Sequence, residues 1–361
     1  MEKYVPGIGI VAGSLMLKWD LLNQHIHSHR LNIQQGDPVN VFINFESILY
    51  NLTMQKNLQD FVNFHKQRLV LELESAILNL MANYHMYFRK EGCRPKIYLY
   101  STALNSEKQQ MEVYNKFYRS YYQNRYMQNP QFKQMGNILN DIIIPEIKLI
   151  LSYVPECYFI ESKTFDSSII PMIVSTVSSP EKNVILSSDV FDTLYLFNPN
   201  FITVYIKRRY SHFNVISEID DAVQSVIKDE SPFDLTIFNS ELYYKLLLSI
   251  KGSKIRNIRS AKGFGYGKFT KLLRDGIEKG VILKDFESID SVIQLFPEKY
   301  RADVKLAFQC TDLDVQYKLL SKTDIDEVKS QLVDKSDYAS LEALNNKRFL
   351  EFPINLQGLL E

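Results

Sequence analysis

GSKIRNIRSAKGFGYGKFTKLL, running from Gly252 to Leu273, is the stretch on which the reading of the fold turns: two short loops of glycine and polar residues interrupt helical material. Gly263-Phe264-Gly265 stands just before a segment, Lys268 to Leu273, that reads as the start of a helix. The first N–H groups of a helix have no partner within it and carry the positive end of its dipole, so such a start favours an anion. From Lys251 to Lys279, Lys251, Lys254, Arg256, Arg259, Lys262, Lys268, Lys271, Arg274 and Lys279 face only Asp275 and Glu278, inside a chain whose 42 basic and 42 acidic residues cancel to a formal charge of +0. A local excess of this kind is an electrostatic footprint for a polyanion. The functional reading is phosphate held by the backbone N–H groups from Phe264 to Gly267, with Lys268 and Lys271 adding charge. The plainer reading makes the glycines tight turns and the lysines a solvated face. Contacts to phosphate position a ligand without reading bases, so binding of this type is salt-dependent and sequence-independent.

Working outward, the 361 residues suffice for one large domain and a smaller one. A hydrophobic share of 45% with 23% charged residues excludes a disordered chain, and 22 Tyr with 22 Phe make it rich in aromatics. Because the net charge is zero, any nucleic-acid binding has to come from local patches. Cys93, Cys157 and Cys310 lie far apart with no Cys-x-x-Cys spacing, which supports neither a disulfide framework nor a zinc knuckle and fits a reducing cytosol. The N-terminal MEKYVPGIGIVAGSLMLKWD lacks a basic leader and is too short to span a bilayer, so no export signal and no membrane association are expected. His25, His27 and His29 alternate, which on a strand would place three imidazoles on one face, but no Cys or acid joins them in register.

Along the chain, a polar turn at Gln35-Gly36-Asp37-Pro38 leads into Val39 to Phe45, which reads as a buried strand running on into Glu46-Ser47-Ile48-Leu49-Tyr50. Leu69, Leu73, Ile77, Leu80, Met81 and Tyr84 are spaced for an amphipathic helix ending before Gly92, and Lys96 to Tyr100 makes a second strand. Strand, helix, strand is the signature of a parallel βαβ unit. A helix over Asn137 to Tyr153, interrupted by Pro145, precedes a strand at Cys157 to Ile160, a helix near Ser167 to Ser175 and a strand at Val184 to Leu186. That last strand ends in Ser187-Ser188-Asp189-Val190-Phe191-Asp192, placing acids at a carboxyl end. Ile202 to Ile206 is another strand, closed by Lys207-Arg208-Arg209; Phe233 to Ile250 is helical, and Asp285 to Glu361 holds several short helices.

Between Ser106 and Gly136 the composition changes, with Lys108, Lys116, Arg119, Arg125 and Lys133 interleaved with Tyr114, Phe117, Tyr118, Tyr121, Tyr122 and Tyr126. Cations hold phosphates while bases stack on aromatics, so this segment could grip a single strand. Equally, it could be an amphipathic helix whose tyrosines pack on the domain.

The basic stretch resembles the DNA-gripping loop of the flap endonuclease or 5′–3′ exonuclease family. In that family a loop of the form G-D-x-S-D-N-I-P-G-V-x-G-I-G introduces a helix-three-turn-helix, a helix-hairpin-helix type of element that holds duplex DNA by its backbone, commonly with a potassium ion. The matching letters here are Gly252-Ser253-Lys254-Ile255-Arg256-Asn257-Ile258, then Gly263-Phe264-Gly265, then Lys271-Leu272-Leu273. The order of elements over most of the chain is also similar, since the family carries an N-terminal strand with an Asp, a second strand ending in Asp, an arch, an E-A-D-D helix and a G-D-x-D strand end. The resemblance implies two-metal phosphodiester hydrolysis, in which clustered carboxylates hold divalent ions.

The family's acids are mostly replaced. The first falls on Asn44, with Glu46 two residues on; the second falls near Ser101; the E-A-D-D helix aligns with Thr164-Phe165-Asp166-Ser167, with Glu161 close by; Asp189 is retained and its partner is lost to Phe191 or shifted to Asp192; the last pair becomes Ser253 and Arg256. Two divalent ions carry four positive charges, against at most three negative ones on Asp166, Asp189 and Asp192. Arg256 adds a like charge whose cost at about 4 Å and an effective dielectric near 20 is roughly 4 kcal/mol. At most one Mg²⁺ or Mn²⁺, on Asp166 and Asp189, is compatible with this set; the competing reading makes both residues helix caps. For Asn44 and Ser101 the reading is hydrogen bonding within the vacated cleft.

The sequence therefore points to an α/β fold: a PIN-like, flap-endonuclease-type core with a central, mostly parallel sheet over residues 1–215, its arch at about 102–136, and a helical region over 216–361 carrying the helix-three-turn-helix at 252–273. The function it implies is structure-selective, sequence-independent DNA binding by a pseudo-nuclease of phage or viral DNA replication or repair. Junctions, flaps or single-strand/duplex boundaries would be its targets and replication proteins its partners, in the cytoplasm, or the host cytoplasm for a viral protein. One alternative is an active 5′–3′ nuclease with a shifted acid set of Glu46, Glu161, Asp166, Asp189 and Asp192. The other is a protein-interaction scaffold using the tyrosine-rich arch.

Overall fold

Seven consecutive residues, Pro38–Asn44, form strand β1, and all but the first are buried. A strand covered on both faces reads as a near-continuous apolar run, and β1 does so apart from Asn40 and Asn44. The computed structural model describes residues 33–45, 74, 77–78, 81–82, 84–102, 139–152, 154–178, 182–187, 190–206, 213–216, 223, 239–252, 258 and 261–333. Within these, β2 (Arg94–Thr102), β3 (Cys157–Ser162), β4 (Lys182–Ser187), β5 (Phe201–Ile206) and β6 (Phe213–Ile216) join β1 in a six-stranded sheet of order β3-β2-β1-β4-β5-β6. The pairs from β3 to β5 are parallel and only β6 runs antiparallel, against β5. The expected mostly parallel α/β core is thus present, and β6 is an addition to it.

A helix whose described residues include 84–90, α1, separates β1 from β2, and Ile77, Met81 and Tyr84 on its predicted apolar face are buried. Before β3, a π-helical turn, Leu139–Ile143, passes into α2 (Ile144–Leu151). Pro145 was expected to interrupt this helix; instead it sits in the first α-helical turn, where a missing N–H costs nothing because that donor has no partner anyway. A 3₁₀ turn, Ser167–Ile169, opens α3 (Ile170–Val177), and a longer 3₁₀ segment, Val190–Phe197, follows β4. After the sheet come α4 (Ser240–Lys251), α5 (Tyr266–Glu278), α6 (Ile289–Val292), α7 (Glu298–Thr311), α8 (Leu313–Lys318) and α9 (Lys322–Ser330).

Alternation along β1 puts Asn40, Phe42 and Asn44 on one face. Phe42 stacks on Tyr98 at 5.0 Å, and Tyr98 on Tyr158 at 5.2 Å, so one aromatic row crosses three strands. Full burial of each such ring stabilises by roughly 1.5–3 kcal/mol. The same apolar cluster continues through α3 and α4 to Phe264, Phe269 and Phe296, which ties the helical region to the sheet.

Edge strand β3 is closed by a side chain. The Gln331 carboxamide accepts from the Glu161 N–H at 2.9 Å and donates to the Glu161 carbonyl at 2.8 Å, taking the place of a neighbouring strand. Thr164 donates to Asp324 of α9 at 2.6 Å in the same contact.

Candidate functional site

The carboxyl ends of the parallel strands meet at Asn44, Ser101, Glu161 and Ser187, all buried. Asp192, in the 3₁₀ segment after β4, is fully buried and is the centre of the polar contacts there. One oxygen, Oδ2, accepts from Asn44 Nδ2 at 2.7 Å, from Ser187 Oγ at 2.5 Å and from the Tyr100 hydroxyl at 3.5 Å. The Asp192 carbonyl accepts from Thr203 Oγ1 at 3.2 Å. These neutral donors satisfy a buried carboxylate that would otherwise carry a large desolvation cost.

Among the described residues, two other candidate acids, Asp166 and Glu161, are committed elsewhere. Asp166 Oδ1 accepts from the Ser168 N–H at 2.9 Å, capping the 3₁₀ turn that opens α3, which is the structural alternative the sequence left open. Glu161 forms an ion pair with Lys148 of α2. It lies on β3, three strand positions from β4 and so about 14 Å away at the usual spacing, too far to share a metal with acids at the β4 end. Among the described residues no group of three His, Cys, Asp or Glu side chains could hold a metal ion. The described donors at the sheet end therefore do not fit a divalent centre. Glu46 and Asp189 lie outside the described residues, as do the histidines at 25, 27 and 29 and the arch candidates Lys108, Lys116, Arg119 and Arg125.

The basic loop is built differently. Asn239 caps α4 by accepting from the Leu242 N–H at 3.1 Å, and the helix stops at Gly252, whose φ of 69° needs a residue without a Cβ. Lys254, Arg256 and the rest of 253–257, part of the stretch where the resemblance implies a helix-three-turn-helix with a potassium ion, lie outside the described residues. Ile258 and Ala261 are buried, and Gly263 turns the chain at φ 78° into α5.

That helix begins at Tyr266, two residues before the sequence reading put it, with Gly265 as a cap that offers no side chain. Phe264 does not present its N–H outward: it donates to the Ala261 carbonyl at 3.0 Å, and its ring is buried against Phe296 and Tyr300. Tyr266 and Gly267 are in the first turn of this helix, whose N–H groups have no partner within it, and Gly265 precedes them as its cap. Lys262, Lys268, Lys271 and Arg274 are exposed around them, and the first turn of α5 holds no acid. Lys268 donates to the Gly263 carbonyl at 2.5 Å and lies 3.5 Å from the Tyr300 hydroxyl. An ammonium group has three donors, so Lys268 keeps capacity for an outside acceptor.

Tyr300 and Lys299, from the first turn of α7, escaped the sequence reading because nothing in their spacing links them to residues thirty positions earlier. The signal that brings them in is spatial: both lysines, 268 and 299, lie against the Tyr300 ring, at 5.7 and 4.9 Å from its centroid.

No protein-family model matches the sequence, and no curated protein matches it. Among solved structures the fold is similar to the 5′-exonuclease of T5 with bound zinc, at 12% identity and a TM-score of 0.44 over 81% of this chain and 98% of that one. It is also similar to the flap endonuclease of bacteriophage T5 in a pseudo-enzyme–product complex with DNA and metal ions, at 11% identity and 0.46 over 81% and 98%. A third similar structure is the catalytic core of Rad2 with a DNA substrate, at 11% identity and 0.38 over 90% and 93%. No helix among the described residues is long and apolar enough to cross a membrane.

Proposed function

We propose that this chain binds DNA through its phosphate backbone, independently of sequence, and does not cleave it. The observation that carries the reading is the start of α5. Lysine in the first turn of a helix opposes the dipole, and native sequences favour acids there. Here Lys268 occupies that turn with no acid, and exposed Lys262, Lys271 and Arg274 surround it. A local rule broken at the surface, where packing does not compel it, marks a site for function. Phosphate on the Gly265, Tyr266 and Gly267 N–H groups would restore the balance.

Loss of hydrolysis is supported by the sheet end, where Asp192 is hydrogen-bonded to Asn44 and Ser187. The setting implied by the sequence resemblance is phage or viral DNA replication or repair, with flaps, junctions or strand boundaries as targets. Fluorescence anisotropy with two duplexes of unrelated sequence tests the reading. Equal affinities that fall steeply with salt support it, whereas no binding at low salt removes it.

A further inference from the structure

We propose that Tyr300, with Lys268 and Lys299 against its ring, forms a second phosphate seat beside the start of α5, so that one DNA strand is held from two helices. The proposal rests on the DNA-binding reading above and extends it to α7, a helix outside the basic stretch.

The geometry is specific. Tyr300 is anchored on its inner side by Phe264, whose ring centroid lies 4.9 Å away, so the tyrosine is fixed to the same turn that aims α5 outward. Two ammonium groups lie near the same ring, Lys268 at 5.7 Å and Lys299 at 4.9 Å from its centroid, both from exposed lysines. Neither Lys268 nor Lys299 forms an ion pair among the described residues, and Glu298 beside them pairs with neither. Attraction to one ring is worth about 0.5–1 kcal/mol at an exposed site. Two cations gathered there without a counter-charge leave an electrostatic demand that an anion meets.

The hydroxyl completes the seat. It can accept from Lys268 Nζ, at 3.5 Å, and its own proton is then free to be donated to a phosphate oxygen. Desolvation works against ionisation of Tyr300, but the neighbouring Lys268 and Lys299 ammonium groups outweigh it and hold the hydroxyl pKa below its ordinary value, making it a better donor.

The test measures binding of a fluorescein-labelled nicked duplex by the full chain across a range of KCl, for wild type, Lys299→Gln, Tyr300→Phe and Lys271→Gln. Lys299→Gln is expected to lower the slope of log affinity against log salt by about 0.9, the value for one phosphate contact. Tyr300→Phe is expected to weaken binding about threefold to tenfold, as loss of one hydrogen bond does, with the slope retained. If Lys271→Gln loses affinity while Lys299→Gln and Tyr300→Phe superimpose on wild type, the second seat is overturned and the DNA-binding reading stands. A Lys299 effect without a Tyr300 effect overturns the role of the hydroxyl. No binding by wild type removes the DNA-binding reading and the seat with it. Lys299 is exposed and its replacement leaves the fold intact, so its result decides the matter even if a circular dichroism melt shows Tyr300→Phe to be destabilised.

Discussion

The Asn44 side-chain amide donates to the Asp192 carboxylate at 2.7 Å, joining the end of β1 to the segment after β4 by a hydrogen bond. Two carboxylates in those places would repel unless a cation lay between them. An amide and a carboxylate attract directly, which closes the cleft without an ion.

Asn44→Asp is expected to destabilise the protein by about 2–5 kcal/mol at pH 7, the scale of like charges at close approach in a partly screened interior. One carboxyl of the new pair would have a folded pKa raised above its unfolded value. The cost is therefore complete above that raised folded pKa and shrinks as the pH falls through it toward the unfolded value of about 4. Urea unfolding at pH 7 and pH 4.5 measures it; an equal deficit at both values would contradict the like-charge explanation.

Lys245 of α4 is 7% exposed and is held by Asp312 at 3.0 Å and Glu241 at 2.7 Å. Lys245→Met is expected to cost about 3–5 kcal/mol, because the buried Asp312 carboxylate loses its partner. Burial alone would lower the Lys245 pKa, but the charge of Asp312 and the hydrogen bond to Glu241 raise it above the ordinary value. A raised lysine pKa contributes stability that is complete below about pH 10 and is lost as the pH rises through the folded value. Wild type should thus lose its advantage over the variant only in strong alkali, which paired unfolding curves at pH 8 and pH 11 check.

Gln331→Ala removes the amide that closes β3 and leaves the Glu161 N–H and carbonyl without it. A loss of about 1–3 kcal/mol is expected. Hydrogen exchange locates it: the Glu161 amide should exchange faster, while amides of central strand β1 keep their protection. Unchanged exchange at Glu161 would show that the edge is covered by other means.

All three cysteines are buried and none is in a disulfide. Burial, and next to it the charge of Asp37, pushes the Cys93 thiol up to about 11. Iodoacetamide at pH 8 should leave the native protein unmodified and label all three thiols in urea, as intact-mass measurement would show. Rapid labelling of Cys93 in the native state would contradict this.

Much of the core was legible because its strands are apolar runs with little ambiguity: Val39 to Phe45, Lys96 to Tyr100 and Val184 to Leu186 each lie within or beside an observed strand. Strand β6 was not, since four residues, Phe213–Ile216, without a recognisable hairpin turn carry too little pattern. Pro145 misled because a proline inside an apolar run reads as a break, and the π-helical turn ahead of it has no signature. At the sheet end, Asn44 and Asp192 could be named from sequence but their mutual contact could not, as it joins positions far apart in the chain. Tyr300 is the same case: its packing against Phe264 is invisible to spacing.

The most direct measurement is a combined gel-shift and cleavage assay on 5′-flap, nicked and single-stranded DNA, with and without Mn²⁺, with Lys268→Glu/Lys271→Glu as the binding-deficient control. The expected result is a shift that weakens with salt, disappears in the control and is accompanied by no cleavage. Mn²⁺-dependent 5′ cleavage by the wild-type chain, lost in Asp189→Ala or Asp192→Ala, would contradict the account.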